Sequence, residues 1–270
     1  MKTNIIFACL FITIFACQGD INVLPGLGDL EKNGLYPSFI SSLSEQELNS
    51  LRTEFMVLNE NQICCSLDRF GFLQFCHNPG RQNPNIKIDK VNAFSMALET
   101  LFKNHKFTSV QDTLDFKNST INIEDISISQ DQSHWKLEIS PQYYQGLEVL
   151  FTGIYVFLYS DGVYSIHSSW YKDIYIPSHD VIDYENARKS LIGEKIIWYT
   201  FGGEPVEFIV AWENIGINIE KVILPVETED SIKFHIAWKI PILMEKYIGW
   251  YVYLDTITGE ILLYLQQFST

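Results

Sequence analysis

Residues 250–265 read WYVYLDTITGEILLYL, and this stretch predicts a β-hairpin. Apolar and aromatic residues alternate on both sides of a short polar group, as they do in strands with one buried face. Asp255, Thr258 and Gly259 in that group are turn-forming residues, and glycine readily adopts the positive φ that tight turns require. We therefore expect Asp255 and Thr258 to make hydrogen bonds within the turn rather than to act as catalytic groups.

The preceding stretch, 234–242, predicts a strand that pairs with this hairpin. Alternation places His235, Ala237 and Lys239 on one face of the strand. The larger apolar residues share the other face: Phe234, Ile236, Trp238, Ile240 and Ile242. The pattern predicts a half-buried sheet with a helix packed on its apolar face, and it places His235 in solvent.

Periodicity along the rest of the chain predicts both helices and strands. Ser44 and Glu47 have the spacing of a capping box before a run of helical period, so we expect a helix over about 43–60. Similar patterns predict helices over 90–106 and 183–192. Between them, period-two patterns predict strands, including a hairpin that turns at Asp161 and Gly162. The expected fold class is α+β, with antiparallel sheets each packed by a helix.

Two parts of the chain resemble modules of protease propeptides. YQGLEV at 144–149 and VFLYSDGVYSI at 156–166 resemble the FTP element of thermolysin-type and fungalysin-type propeptides, and IAWKI at 236–240 with LDTITGEIL at 254–262 resembles a PepSY domain. The resemblance implies two tandem cystatin-like modules, an FTP-like domain at 89–178 and a PepSY-like domain at 179–270. The zinc-protease motif H-E-x-x-H is absent from the sequence, so protease activity is not expected.

The N-terminal residues have the pattern of an export signal. A basic start is followed by the apolar run 5–16, which is too short to span a bilayer. IFAC at 14–17 resembles a bacterial lipobox with Cys17 as the lipid acceptor, and cleavage beside Ala16 without lipidation is the alternative. We therefore expect 1–17 to be a lipoprotein signal peptide. Residues 18–88 are expected to form a tether and an N-terminal helical segment that contains cysteines.

Cys64, Cys65 and Cys76 lie together in that segment. In an oxidising compartment we expect a disulfide from Cys76 to either Cys64 or Cys65, with one thiol left over. A metal site that adds His77 is the alternative. It is disfavoured because adjacent cysteines lack the two-residue gap that is usual within a pair of zinc ligands.

The remaining polar residues form no recognisable catalytic set. The histidines are scattered, and no nucleophile, phosphate-binding loop or metal-ligand pattern is visible, so we expect no catalytic residues, no metal and no cofactor. The aromatic residues Trp250, Tyr251 and Tyr253 are the candidates for partner binding, on the expectation that they lie beside an exposed strand edge.

Charge narrows the classes of partner. The chain carries 33 acidic and 19 basic residues, a net charge of −14, which repels nucleic-acid phosphates and anionic lipid headgroups. We expect a non-catalytic lipoprotein of the bacterial envelope, or a secreted protein, that binds a protein partner. Inhibition or chaperoning of a secreted metalloprotease is the role that the resemblance implies. The alternatives are a structural or ligand-sensing envelope lipoprotein, and an enzyme with an unrecognised site.

Overall fold

The computed structural model has an α+β fold with several antiparallel sheets and few helices. It describes residues 36–60, 64–77, 88–127, 133–159, 162–177, 180–199, 203–244 and 247–267, with the backbone alone at 75–77 and 247–248. The fold class expected from the sequence is confirmed at this level. The expected signal peptide, including Cys17, and Asp161 lie outside the described residues.

The helices are α1 (Glu45–Leu58), α2 (Lys90–Lys103), α3 (His105–Thr108) and α4 (Tyr184–Ser190). The strands are β1 (Ser38–Ser41), β2 (Cys64–Leu67), β3 (Leu73–His77), β4 (Thr120–Asp125), β5 (Trp135–Ser140), β6 (Gln142–Tyr144), β7 (Leu147–Val149), β8 (Gly153–Tyr159), β9 (Gly162–Ser169), β10 (Lys195–Tyr199), β11 (Pro205–Ile209), β12 (Glu220–Glu227), β13 (Ser231–Met244), β14 (Tyr247–Asp255) and β15 (Ile261–Gln266).

Helix α1 begins where the sequence predicts. The backbone N–H of Glu47 donates to the Ser44 hydroxyl at 3.3 Å, and the Ser44 N–H donates to the Glu47 carboxylate at 2.8 Å, which completes the capping box. Leu48 and Phe55, seven positions apart on one helix face, are buried. The burial of this face fixes α1 on the first core.

The first core lies between a four-stranded sheet, in the order β4-β5-β8-β9, and the elements that precede it in the chain. Helices α1 and α2 and the ribbon β2-β3 contribute buried apolar side chains to this core. Ribbon β2-β3 was not expected from the sequence. It supplies Leu67 and Leu73, both buried.

The second sheet runs β15-β14-β13-β12-β7-β6, and β1 also pairs with β13. All but one of its pairings are antiparallel, and the exception is the parallel pair β7-β12. Strands β6 and β7 lie between β5 and β8 in the chain but belong to the second sheet, so the segment that forms the four-stranded sheet also contributes two strands to the other sheet. The strand order therefore does not confirm the expected arrangement of two tandem modules.

Strand β1 lies end to end with β14 along one edge of β13. Ser38 is paired with Phe234 and Ser41 with Ser231, whereas β14 pairs with β13 from Ala237 onward. The side chains of Asp255 and Tyr36 contact the two positions between them, 235 and 236.

Helix α4 and the ribbon β10-β11 cover one face of the second sheet around Ile240, Ile242 and Val252. The opposite face was expected to be open to solvent. It is covered instead, and its buried residues include Val222, Leu224, Ala237 and Tyr253. His235, on the same face as Ala237, has a side chain that is only 12% exposed. The prediction that His235 faces solvent is therefore wrong.

Candidate functional site

The centre of the second sheet contains a fully buried carboxylate, Asp255, at the start of the turn after β14. Its Oδ1 accepts the backbone N–H groups of Ile257 at 2.7 Å and Thr258 at 3.0 Å. Its Oδ2 lies 2.9 Å from the Tyr36 hydroxyl and 2.7 Å from Nδ1 of His235. A carboxylate offers about four lone-pair sites, so these contacts use all of its hydrogen-bonding capacity.

Tyr36 joins β1 to the sheet through one hydroxyl group. The hydroxyl donates to Asp255 Oδ2 and accepts the backbone N–H of Ile236 at 2.9 Å. Burial raises the pKa of Tyr36, and the nearby charge of Asp255 raises it further. The neutral phenol is therefore favoured, and only the neutral form can donate to Asp255.

His235 completes this cluster, which we name the Asp255 cluster (Tyr36, His235 and Asp255). The rings of Tyr36 and His235 meet edge to face, with centroids 6.1 Å apart. A carboxylate that binds one ring nitrogen also orients a catalytic imidazole, but such a base must reach a substrate. Here the carboxylate is fully buried and the imidazole nearly so. The geometry fits a clamp that fastens β1 to β13 and β14.

Sequence reasoning missed Tyr36 and His235 as members of this cluster. Tyr36 carries no local signal, because its partners lie 200 or more positions away in the chain. His235 offered a weak signal, since it lies between Phe234 and Ile236 and opposite the apolar Leu224 in the register of β12 and β13. A histidine among apolar neighbours calls for a buried hydrogen-bond partner.

The turn residues lie as expected around this cluster. Gly259 has a φ of 78°, which confirms the predicted left-handed conformation. The Thr258 hydroxyl accepts the backbone N–H of Glu260 at 3.2 Å. In the other predicted hairpin, Gly162 follows the undescribed Asp161 and has a φ of 143°, while Tyr159 pairs with Gly162.

The aromatic candidates do not all lie at the surface. Trp250 is 8% exposed and Tyr253 is 2% exposed, because β14 is flanked by β13 and β15 and both of its faces are covered. The expectation that Trp250 and Tyr253 are exposed for partner contact is therefore wrong. Tyr251 alone of the three is half-buried, and the Lys239 ammonium lies 4.8 Å from the centre of its ring.

A small electrostatic network surrounds Tyr251 and Tyr253. The Lys239 Nζ lies 2.8 Å from the Glu220 carboxylate, and this hydrogen bond and the charge of Glu220 outweigh desolvation and raise the pKa of Lys239. Burial raises the pKa of Tyr253, with smaller contributions from Tyr251 and from Glu148 and Glu220. The phenol of Tyr253 therefore stays neutral beside this charged pair.

One edge of the second sheet is β6, and the other is β15 rather than β14. The partner of β15 in the sheet is β14, and no other strand in the described part of the chain pairs with it. Its six residues, ILLYLQ, are all half-buried and include neither a charge nor a proline. Leu263 and Leu265 face the same side as Tyr253 and Tyr251, to which they are paired.

The cysteines lie on the ribbon β2-β3. Cys65 is opposite Cys76 and Cys64 is opposite His77 in the register of the two strands. Cys64 is exposed and Cys65 is half-buried. The expected disulfide from Cys76 to Cys64 or Cys65 stays a prediction.

The described residues contain no cluster of three or more His, Cys, Asp or Glu side chains that could hold a metal ion. No helix within them has the length and apolar character that crossing a bilayer would need.

Comparison with known proteins identifies a distant structural likeness. No protein-family model matches the sequence. No curated protein matches it either. Among solved structures, the chain is similar to the Bacillus megaterium YpeB C-terminal domain, with a TM-score of 0.30 and 11% sequence identity over 84% of this chain and 99% of that domain.

Proposed function

We propose that this chain is an exported, lipid-anchored protein without catalytic activity that binds a protein partner by adding one of the partner's strands to β15. The observation that carries the proposal is the edge of β15, which pairs with no strand other than β14 among the described residues and carries neither charge nor proline. In this proposal residues 89–178 are the FTP-like module and 179–270 the PepSY-like module, and strands β6 and β7 of the first module lie in the sheet of the second.

Edge strands are usually protected against pairing with other chains by charges, prolines, bulges or covering elements. Strand β15 carries neither charge nor proline along its six residues. The pairing of β14 with β15 has one register shift, between Tyr253 and Leu254 of β14. This shift affects the first residues of β15, and the pairing from Leu263 to Gln266 is regular. The regular part can therefore accept the main-chain hydrogen bonds of an added strand.

Side chains beside the edge favour apolar residues on the partner. Leu263 and Leu265 form one side with Tyr251, and Tyr264 lies on the other side against the core around Trp250. In strand addition, main-chain bonds supply affinity and such side-chain surfaces supply selectivity for alternate residues of the incoming strand. We expect an extended partner segment with apolar or aromatic side chains at every second position.

An exported metalloprotease is the first partner to test, because of the resemblance of 144–166 and 236–262 to propeptide modules. The test mixes the purified chain with secreted zinc proteases from the same source. At least one should be slowed or assisted in refolding. If none responds and the chain itself hydrolyses a peptide, ester or glycan, with loss of that activity on a point substitution in this chain, the enzyme alternative replaces the proposal.

Two variants locate the contact. Leu265→Lys adds a charge beside the edge of β15 and should weaken the complex at least tenfold, whereas Ile209→Lys on the exposed face of β11 should leave it unchanged. Amide hydrogen exchange measures the same surface without a substitution, and exchange at 261–266 should slow when the partner binds. Weakening by Ile209→Lys alone, or unchanged exchange at 261–266, would place the contact elsewhere.

The export part of the proposal has its own test. Cys17→Ser should release or mislocalise the protein, because it removes the thiol that accepts the lipid. Unchanged membrane partition together with an unchanged mass of the mature N-terminus would contradict lipidation.

A further inference from the structure

We propose that Cys65 and Cys76 form a disulfide across the ribbon β2-β3 and that Cys64 remains an accessible thiol. The proposal selects one pairing out of the two that the sequence leaves open. It does not depend on binding at β15, so the two proposals can fail separately.

The backbone register carries the choice. Cys65 is directly opposite Cys76 in an antiparallel pair, whereas Cys64 is opposite His77. Opposite residues in such pairs have Cα atoms about 4.5–5.5 Å apart, within the range of about 4.4–6.8 Å that disulfides need. Successive residues of a strand project to opposite faces, so only one of two adjacent cysteines can share a face with the residue across the ribbon.

Burial separates the two adjacent cysteines in the same way. Cys65 packs against the first core, into which Leu67 and Leu73 of the same ribbon also project. Cys64 is exposed. A disulfide at Cys65 would therefore lie against apolar side chains, while the thiol of Cys64 stays open to reagents.

The oxidation requires a disulfide as electron acceptor, for which oxidised glutathione is a suitable reagent. The thiolate of one cysteine attacks a glutathione sulfur, forms a mixed disulfide and expels one glutathione thiolate. The thiolate of the second cysteine then attacks the protein sulfur of that mixed disulfide and expels the other. Two protein thiols lose two protons and two electrons, and one glutathione disulfide becomes two thiols.

The bond would close a loop that contains the turn at Asp68. A disulfide that closes a loop of about a dozen residues restricts the unfolded chain and so stabilises the fold. Reduction of the oxidised chain should therefore lower its melting temperature by about 5–10 °C. Because Leu67 and Leu73 belong to the first core, the stabilisation should extend beyond the ribbon.

Peptide mapping of the full chain, refolded with reduced and oxidised glutathione, tests the pairing. Trypsin cleaves after Arg52, Arg69 and Arg81, so that Cys64 and Cys65 fall in one peptide and Cys76 in the next. Alkylation before reduction should label Cys64, and the unreduced digest should contain the two peptides joined. Fragment ions locate the label within the first peptide.

Matched variants complete the test. The joined peptides should persist in Cys64→Ser and be lost in Cys65→Ser. Label on Cys65 in the unsubstituted chain, joined peptides in Cys65→Ser, or no joined peptides in the unsubstituted chain would each overturn the proposal. Labelling of the unsubstituted chain identifies the paired cysteines by itself, so the pairing is tested even if a variant fails to fold.

Discussion

The turn after β2 and the turn after β14 are built alike but have different roles. In each, one oxygen of an aspartate accepts two backbone N–H groups, at 2.9 and 2.9 Å for Asp68 and at 2.7 and 3.0 Å for Asp255. In each, a glycine with positive φ donates its backbone N–H to the carbonyl of that aspartate: Gly71, with φ 88°, and Gly259, with φ 78°. The local sequence chemistry of the two turns is therefore nearly the same.

The second carboxylate oxygen distinguishes them. That of Asp255 binds Tyr36 and His235 and is fully buried. Asp68 is half-buried, and burial raises its pKa although backbone N–H groups oppose the shift. A turn motif that is readable in the sequence therefore becomes a centre of the fold only through partners from distant parts of the chain.

Removal of each carboxylate should give the largest difference between the turns. Asp255→Ala leaves buried backbone N–H groups and the Tyr36 hydroxyl without acceptors, so it should lower the free energy of unfolding by about 3–5 kcal/mol. Asp68→Ala should lower it by about 1–2 kcal/mol, because water can reach that turn. Urea unfolding of both variants measures this. Equal losses would mean that the Asp255 cluster adds nothing to its turn.

Gly259→Val tests the backbone of the Asp255 turn. A side chain there must adopt a φ of 78° and would lie 2.6 Å from Cδ1 of Ile182, so we expect destabilisation on the order of 1–3 kcal/mol. Gly146→Val is the control, because Gly146 has a φ of 86° but no atom near an added Cβ. An unchanged melting temperature for Gly259→Val would contradict the role of this glycine.

Tyr36→Phe separates the clamp from the turn. It removes the hydroxyl that satisfies the Ile236 N–H and should lower the free energy of unfolding by about 1–2 kcal/mol, whereas Tyr199→Phe at an exposed site should change it very little. Thermal melts at neutral pH measure both. If both variants melt alike, the Tyr36 hydroxyl does not hold β1.

The contribution of the Tyr36 hydroxyl to stability should also depend on pH in the alkaline range. Because the pKa of Tyr36 is raised in the folded state, its contribution is complete below the unfolded value near 10 and is lost as pH rises above it. Tyr36→Phe should therefore lose less stability between pH 9 and 11 than the unsubstituted chain. Tyr171, whose pKa burial raises to about 12, keeps some alkaline sensitivity in both proteins.

Asp68→Asn should have the smallest effect and the opposite sign. The raised pKa of Asp68 means that stability is lost as pH rises through it, so the ionised group is unfavourable at pH 7. Asparagine keeps the oxygen that accepts both N–H groups, and we expect a gain of only a few tenths of a kcal/mol because solvent screens this half-exposed site. The gain should vanish below pH 4. A clear loss at pH 7 would contradict the assigned direction.

Local patterns predicted much of the fold. The capping box at Ser44, the helical periods and the turn at Gly259 depend on neighbours within a few positions, and the structure contains each of them. The placement of β1, the parallel pair β7-β12 and the covering of His235 depend on contacts between distant segments. Periodicity shows that a strand has a buried face, but it does not show which distant residues cover the other face.

The position of β1 also constrains how the protein is made. Tyr36 precedes its partner Ile236 by 200 positions, so during translation residues 36–41 emerge long before any strand exists to receive them. Contacts of such long range are slow to form, and an unpaired strand is prone to association with other chains. Strand β1 therefore stays without its partner until residues 231–236 have been synthesised.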